Sequence, residues 1–77
     1  MNSRLLRAKM TMHGDTQIRL ARALGLSISR FNAKLNERGG ASFTQKEIEG
    51  IILRYQLSPQ DSIDIFFPGS YVKRNCE

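Results

Sequence analysis

The chain has 77 residues, which is enough for one small domain. Its single cysteine, Cys76, excludes an internal disulfide, and no apolar run is long enough for us to expect a signal peptide or a membrane span. The net charge is +5: residues 1–34 hold seven basic residues and one acidic residue, whereas residues 35–77 hold five and six. A basic first half favours a polyanionic partner, with a merely solvated basic surface as the alternative.

The first two predicted elements are helices. Apolar spacing predicts one over about residues 3–13, ended by Gly14, because glycine commonly terminates helices. A second helix over about residues 17–24 follows Thr16, whose hydroxyl can cap it. Its buried stripe is formed by Leu20, Ala21 and Leu24.

A sharp turn and a third helix come next. Gly25 supplies the turn, Leu26 can fill its corner, and Ser27 can cap a helix over about residues 28–35. This helix has an apolar side with Ile28, Phe31 and Leu35, and a second side with Ser29, Asn32, Ala33 and Asn36, while Arg30 lies on a flank.

Two further helices complete the predicted architecture. After a loop over residues 37–43, the run Thr44-Gln45-Lys46-Glu47 is a capping box, and apolar residues at helical spacing follow it up to Tyr55. A fifth helix begins with Ser58 as cap and Pro59 in its first turn, and Pro68-Gly69 ends it. We therefore predict an all-α bundle of about five short helices over residues 1–67, followed by a C-terminal tail over residues 68–77.

The second and third helices form a helix-turn-helix pattern. The run Thr16-Gln17-Ile18-Arg19-Leu20-Ala21-Arg22-Ala23-Leu24-Gly25-Leu26-Ser27 resembles the Cro/repressor-type, or lambda-repressor-like, helix-turn-helix family. Over about residues 4–67 the chain is similar to small Cro-like proteins of phages and prophages of Gram-positive bacteria. The resemblance implies a transcription regulator in the bacterial cytoplasm, without a cofactor, that binds a pseudo-palindromic operator in double-stranded DNA, usually as a dimer.

The resemblance also implies site residues. Positions that face base edges in the family match Ser27, Ile28, Ser29, Asn32 and Ala33. Gln17 matches a glutamine that contacts a phosphate, and Asn36 with the loop after it matches a segment that contacts the DNA backbone. With the basic residues around them, the predicted phosphate contacts are Arg4, Arg7, Gln17, Arg30, Asn36, Arg38 and Lys46. For Arg4 and Arg7 there is an alternative interpretation, in which they only keep the surface of the first helix solvated and contact no phosphate.

The predicted reading face departs from the family pattern. Positions 28 and 29 hold neither Gln nor Arg, the side chains that make strong bidentate base contacts. Ser29 and Asn32 remain as polar readers. Ile28 has two interpretations, a contact to a thymine methyl group or a core position, and the core position is the more common one for an isoleucine on an apolar helix side.

The apolar end of the chain has its own alternatives. Ile65-Phe66-Phe67 are expected to be mostly core, but a domain this small can leave part of them exposed. With Tyr71 and Val72 of the tail, they could then form a weak or DNA-induced homodimer. The rival function is a protein-binding modulator, such as an antirepressor that pairs with another regulator protein.

Catalysis and metal binding find little support in the sequence. A nucleophile requires an adjacent base, and the chain has one histidine, His13, and scattered carboxylates. Gly39-Gly40 lacks the lysine that would make a phosphate loop, and His13 and Cys76 are too far apart in sequence to suggest a metal site. We expect no enzymatic activity, no catalytic residue, no metal and no cofactor.

Overall fold

A computed structural model describes residues 1–68, and these residues form five α-helices without a β-strand. The predicted tail over 68–77, with Tyr71, Val72 and Cys76, lies outside the described residues except for Pro68. The helices are α1 (Ser3–Met12), α2 (Gln17–Ala23), α3 (Ile28–Leu35), α4 (Gln45–Tyr55) and α5 (Pro59–Phe66), with one 3₁₀ turn (Arg38–Gly40) between α3 and α4. The predicted all-α bundle of five short helices is confirmed.

Side-chain caps define where the helices begin. The side chains of Thr16, Ser27, Thr44 and Ser58 each accept the backbone N–H three residues later, at 3.1–3.2 Å. These bonds satisfy donors that the first helical turn leaves without an intrahelical partner. At α4 the Glu47 carboxylate also accepts the Thr44 N–H at 2.9 Å, which completes the predicted capping box.

Every helix contributes to one core. Its buried side chains are Leu6, Met10, Leu20, Ala21, Phe31, Leu35, Phe43, Ile51, Tyr55, Ile65 and Phe66. Contacts are densest between α2 and α3 and between α1 and α5. The second pairing is reinforced by Lys9, whose ammonium lies 3.0 Å from the Asp61 carboxylate, and by the Asn2 N–H, which donates to the Ile65 carbonyl at 2.6 Å.

The core agrees with one expectation and overturns another. Phe67 ends α5 and is 53% exposed, whereas Ile65 and Phe66 are buried. Ile28 is 40% exposed, so its more common interpretation as a core residue is wrong. Ile28 is the first residue of α3, and the partly buried Leu26 packs against the core just before it.

Among the described helices, none has the length and apolar character needed to cross a bilayer.

Candidate nucleic-acid interface

The turn between α2 and α3 sets the orientation of α3. Gly25 has φ +72°, a left-handed conformation that glycine adopts without a Cβ clash, and the Leu26 N–H donates to the Ala21 carbonyl at 2.8 Å. Ala21 is itself buried, and a small residue there lets α3 cross α2 closely. Phe31 and Leu35 anchor α3 in the core, and the side of the helix that carries the exposed Ile28, Ser29 and Arg30 faces away from the bundle.

The predicted base-reading residues all lie on or beside this outward surface of α3. Ser27 and Ser29 are exposed, Asn32 and Ala33 are half-buried, and Ile28 is exposed as described above. Ser27 has a structural task as well, because its hydroxyl oxygen accepts the Arg30 N–H at 3.2 Å. The Asn32 side-chain amide makes no hydrogen bond to a group within residues 1–68.

Three of the predicted phosphate contacts adjoin this surface. The Arg7 Nη2 of α1 donates to Asn36 Oδ1 at 3.2 Å, and Asn36 Nδ2 donates to the Asn32 carbonyl at 3.0 Å. Arg7 and Gln17 line the same shallow groove of about 260 Å³ between α1 and the start of α2. The structure therefore brings Arg7, Gln17 and Asn36 together around one side of α3, which sequence spacing alone could not have shown.

The remaining predicted phosphate contacts are exposed cations. Arg4, Arg30, Arg38 and Lys46 have no carboxylate partner within residues 1–68. Two further arginines of α2, Arg19 and Arg22, share this property and were not predicted as contacts, although they contribute to the basic first half. With Arg7, the cations left without a carboxylate partner in the described part of the chain are Arg4, Arg7, Arg19, Arg22, Arg30, Arg38 and Lys46.

An ion pair that the sequence did not predict joins α3 to the start of α4. The Lys34 Nζ lies 2.8 and 3.0 Å from the two carboxylate oxygens of Glu47, and both side chains are largely buried. Burial acts to raise the pKa of Glu47, but the hydrogen bonds from Lys34 and from the Thr44 N–H outweigh it and lower that pKa. Because Glu47 also caps α4, the position of α3 depends on the first turn of α4.

A second unpredicted cluster surrounds Asp15, just before α2. Asp15 accepts hydrogen bonds from Arg54 at 2.7 and 3.2 Å, from the Tyr55 hydroxyl at 2.6 Å and from the Thr16 N–H at 3.0 Å. The Arg54 hydrogen bond has the largest effect on its pKa, which falls to about 2. Burial, followed by the bond to Asp15, raises the pKa of Tyr55. His13 stacks on the Tyr55 ring with centroids 4.9 Å apart.

The chain has no match among protein-family models, curated proteins or solved structures. Within residues 1–68, no three His, Cys, Asp or Glu side chains come together as a metal site would require. The outward surface of α3, the groove beside it and the cations without a carboxylate partner in residues 1–68 form the candidate interface.

Proposed function

We propose that this chain is a transcription regulator of the phage Cro and repressor type that binds a specific sequence in double-stranded DNA. The observation that carries the proposal is the α2–turn–α3 unit, which is anchored by Phe31 and leaves a face of α3 free. A helix held in this way fits the major groove of B-DNA. The seven cations without a carboxylate partner in residues 1–68 supply the field that attracts a polyanion.

The side chains divide into two roles in this proposal. Ser29 and Asn32 meet base edges, because a hydroxyl can bond to several bases and an asparagine amide can pair with adenine. Arg7, Gln17 and Asn36 meet phosphates beside α3, where they fix the register of the protein on the duplex. The protein acts in the cytoplasm of a bacterial host and binds a pseudo-palindromic operator as a dimer, without a cofactor.

Selection of bound sequences from a random duplex pool, followed by salt titration, tests this proposal. Each phosphate contact releases counterions, so the logarithm of the binding constant falls linearly with the logarithm of salt concentration. Contacts from all seven cations would give a slope of about −6 for one protomer. Failure to bind any duplex at low salt would refute the proposal.

Two variants with opposite effects distinguish recognition of the bases from contact with the phosphates. Asn32→Ala should cost roughly 1–3 kcal/mol on the selected duplex and little on random DNA, because only base discrimination is lost. Arg7→Ala should weaken both duplexes by a similar factor and reduce the magnitude of the salt slope by about one. Arg7→Lys keeps the charge and should keep the slope. Equal weakening of both duplexes by Asn32→Ala would show that α3 does not read bases.

A protein-binding modulator is the second candidate, and one observation favours it. The half-exposed Phe67 borders an open pocket of about 210 Å³ whose other walls include Phe43, Ile48 and Phe66. Such a pocket, apolar on this side and lined by Lys34, Glu37 and Ser42 as well, can receive a side chain of a partner regulator. Tight binding to another regulator, with no DNA binding at low salt, would support this function instead.

A further inference from the structure

Ile28 differs from its neighbours on the outward surface of α3. It is 40% exposed in the first turn, whereas the other predicted readers are small or polar. Asn32 lies one turn further along the helix from Ile28, and Ala33 has the same relation to Ser29, so these four side chains form one contiguous face. Ile28 is the only large apolar side chain on that face.

The small neighbours of Ile28 determine what it can reach. Ser29 and Ala33 carry no long side chain, so they do not hold the helix backbone away from an approaching surface. The branched side chain of Ile28 therefore extends beyond them. Ile28 is not among the side chains that form or pack against the core, whereas Leu26, Phe31 and Leu35 are.

The free energy of the system falls when a partner removes an exposed apolar group from water. In unmodified DNA the edges of the base pairs in the major groove present one methyl group, at C5 of thymine. The face lacks the Arg, Lys and Gln side chains that pair with guanine or adenine at the first two positions of the helix. The Asn32 amide, which has no hydrogen-bond partner within residues 1–68, can pair with adenine next to such a thymine.

Building on the proposed DNA-binding function, we infer that Ile28 is a specificity-determining residue that contacts the C5-methyl group of a thymine in each half-site. The half-site would then be recognised through dT at the position facing Ile28 and dA at the position facing Asn32. The contact to the base would be apolar at Ile28, at the start of α3, and would be made by hydrogen bonds at Asn32, one turn later.

The test uses the duplex selected from the random pool, with each dT replaced in turn by dU. Uracil lacks only the methyl group, so every hydrogen-bonding group of the base pair is retained. Burying one methyl group contributes about as much as one CH₂, and its loss should weaken binding by the full chain about fourfold at one position in each half-site. The variant Ile28→Ala should bind the dT and dU duplexes equally at that position.

Ile18→Ala is the matched control, because Ile18 is an equally large apolar side chain, 60% exposed, on α2 instead of α3. It should retain the fourfold difference between dT and dU. Equal binding of dT and dU duplexes by the unaltered chain at every thymine would overturn the inference and leave sequence-specific DNA binding intact. A difference that persists in Ile28→Ala would likewise overturn it. Absence of binding to any duplex would instead refute the proposed function.

Discussion

Asp15 links the start of α2 to the last turn of α4 with a single carboxylate. Its side chain is only 5% exposed and accepts hydrogen bonds from Arg54, Tyr55 and the Thr16 N–H. A carboxylate in this setting is more stable charged than protonated, which is why its pKa falls to about 2. The cluster therefore stabilises the helix that begins the helix-turn-helix.

We expect Asp15→Asn to reduce the free energy of unfolding by about 2 kcal/mol at neutral pH, since the pKa of Asp15 falls from its ordinary value of 3.8 to about 2. The folded-state pKa is depressed, so the contribution is present above about pH 4 and is lost as the pH falls towards 2. The difference in stability between the two proteins should shrink over that interval. Urea unfolding curves at a series of pH values measure it.

Glu49→Gln provides the control for this pH series. Glu49 is an exposed carboxylate on α4 without an ion pair in the described part of the chain, so the variant should differ little in stability from the unaltered chain at neutral pH. A constant difference between Asp15→Asn and the unaltered chain from pH 7 to pH 2 would show that the Asp15 charge does not stabilise the fold.

At the scale of elements, two glycines differ in what a substitution would meet. At one the backbone conformation disfavours a Cβ, and at the other a neighbouring side chain lies close to it. A Cβ at Gly25 would contact nothing within 4 Å, but the residue has φ +72°. A Cβ at Gly50, inside α4, would lie 3.2 Å from Leu24 Cδ2, but the backbone there is helical. The Leu24 side chain is partly exposed, so its end can shift by the small amount required.

We therefore expect opposite results from substitution of these two glycines. Gly25→Ala should destabilise the domain by about 1–2 kcal/mol and Gly25→Val by more, because left-handed conformations strain residues with a Cβ. Gly50→Ala should be neutral or stabilising by up to about 1 kcal/mol, because alanine favours the helix interior. Thermal melts of the three variants measure these effects. An unchanged melting temperature for Gly25→Val would contradict this account of the turn.

The elements were predictable from sequence because their determinants are local. The caps at Thr16, Ser27, Thr44 and Ser58 act on an N–H three residues later, so each one appears in a short stretch of sequence. The turn at Gly25 is equally local. Helix boundaries consequently agree with the predicted ones within one or two residues.

The parts that were missed depend on tertiary packing. Asp15 and Arg54 are 39 residues apart, and Lys34 and Glu47 are 13 apart, so no periodicity connects them. The exposure of Ile28 was given only as the less common interpretation, because helical spacing places it on the apolar side of α3, whereas the core begins one turn later at Phe31. The predicted reading residues were placed on one helix, but the groove that joins Arg7 to Gln17 required the packed structure.

At the scale of the whole molecule, some basic side chains are neutralised by ion pairs and others are not. Within residues 1–68, Lys9, Lys34 and Arg54 are each paired with a carboxylate of another part of the fold. The cations of these residues that have no carboxylate partner are concentrated on the first three helices and the loop after them. Surface cations of this kind contribute little to folding stability and remain available for a polyanion.

The exposed apolar end of α5 leads to the last prediction, a weak homodimer that forms in solution or on DNA. Phe67 is 53% exposed beside the pocket formed with Phe43, Ile48 and Phe66, so a symmetric contact would cover it in both protomers. Burying the exposed half of one phenylalanine contributes about 1 kcal/mol, and two copies contribute about 2 kcal/mol. Phe67→Ala should therefore weaken dimerisation about thirtyfold, as measured by sedimentation equilibrium.

Leu53→Ala serves as the control for dimerisation, because Leu53 is 77% exposed on α4 and does not line the pocket beside Phe67. This variant should retain the concentration-dependent mass of the unaltered chain. The measurement is repeated on the selected DNA duplex, where two adjacent half-sites raise the effective concentration of one protomer near the other. A chain that stays monomeric both free and on that duplex would contradict the dimer, and equal weakening by the two variants would place the contact away from Phe67.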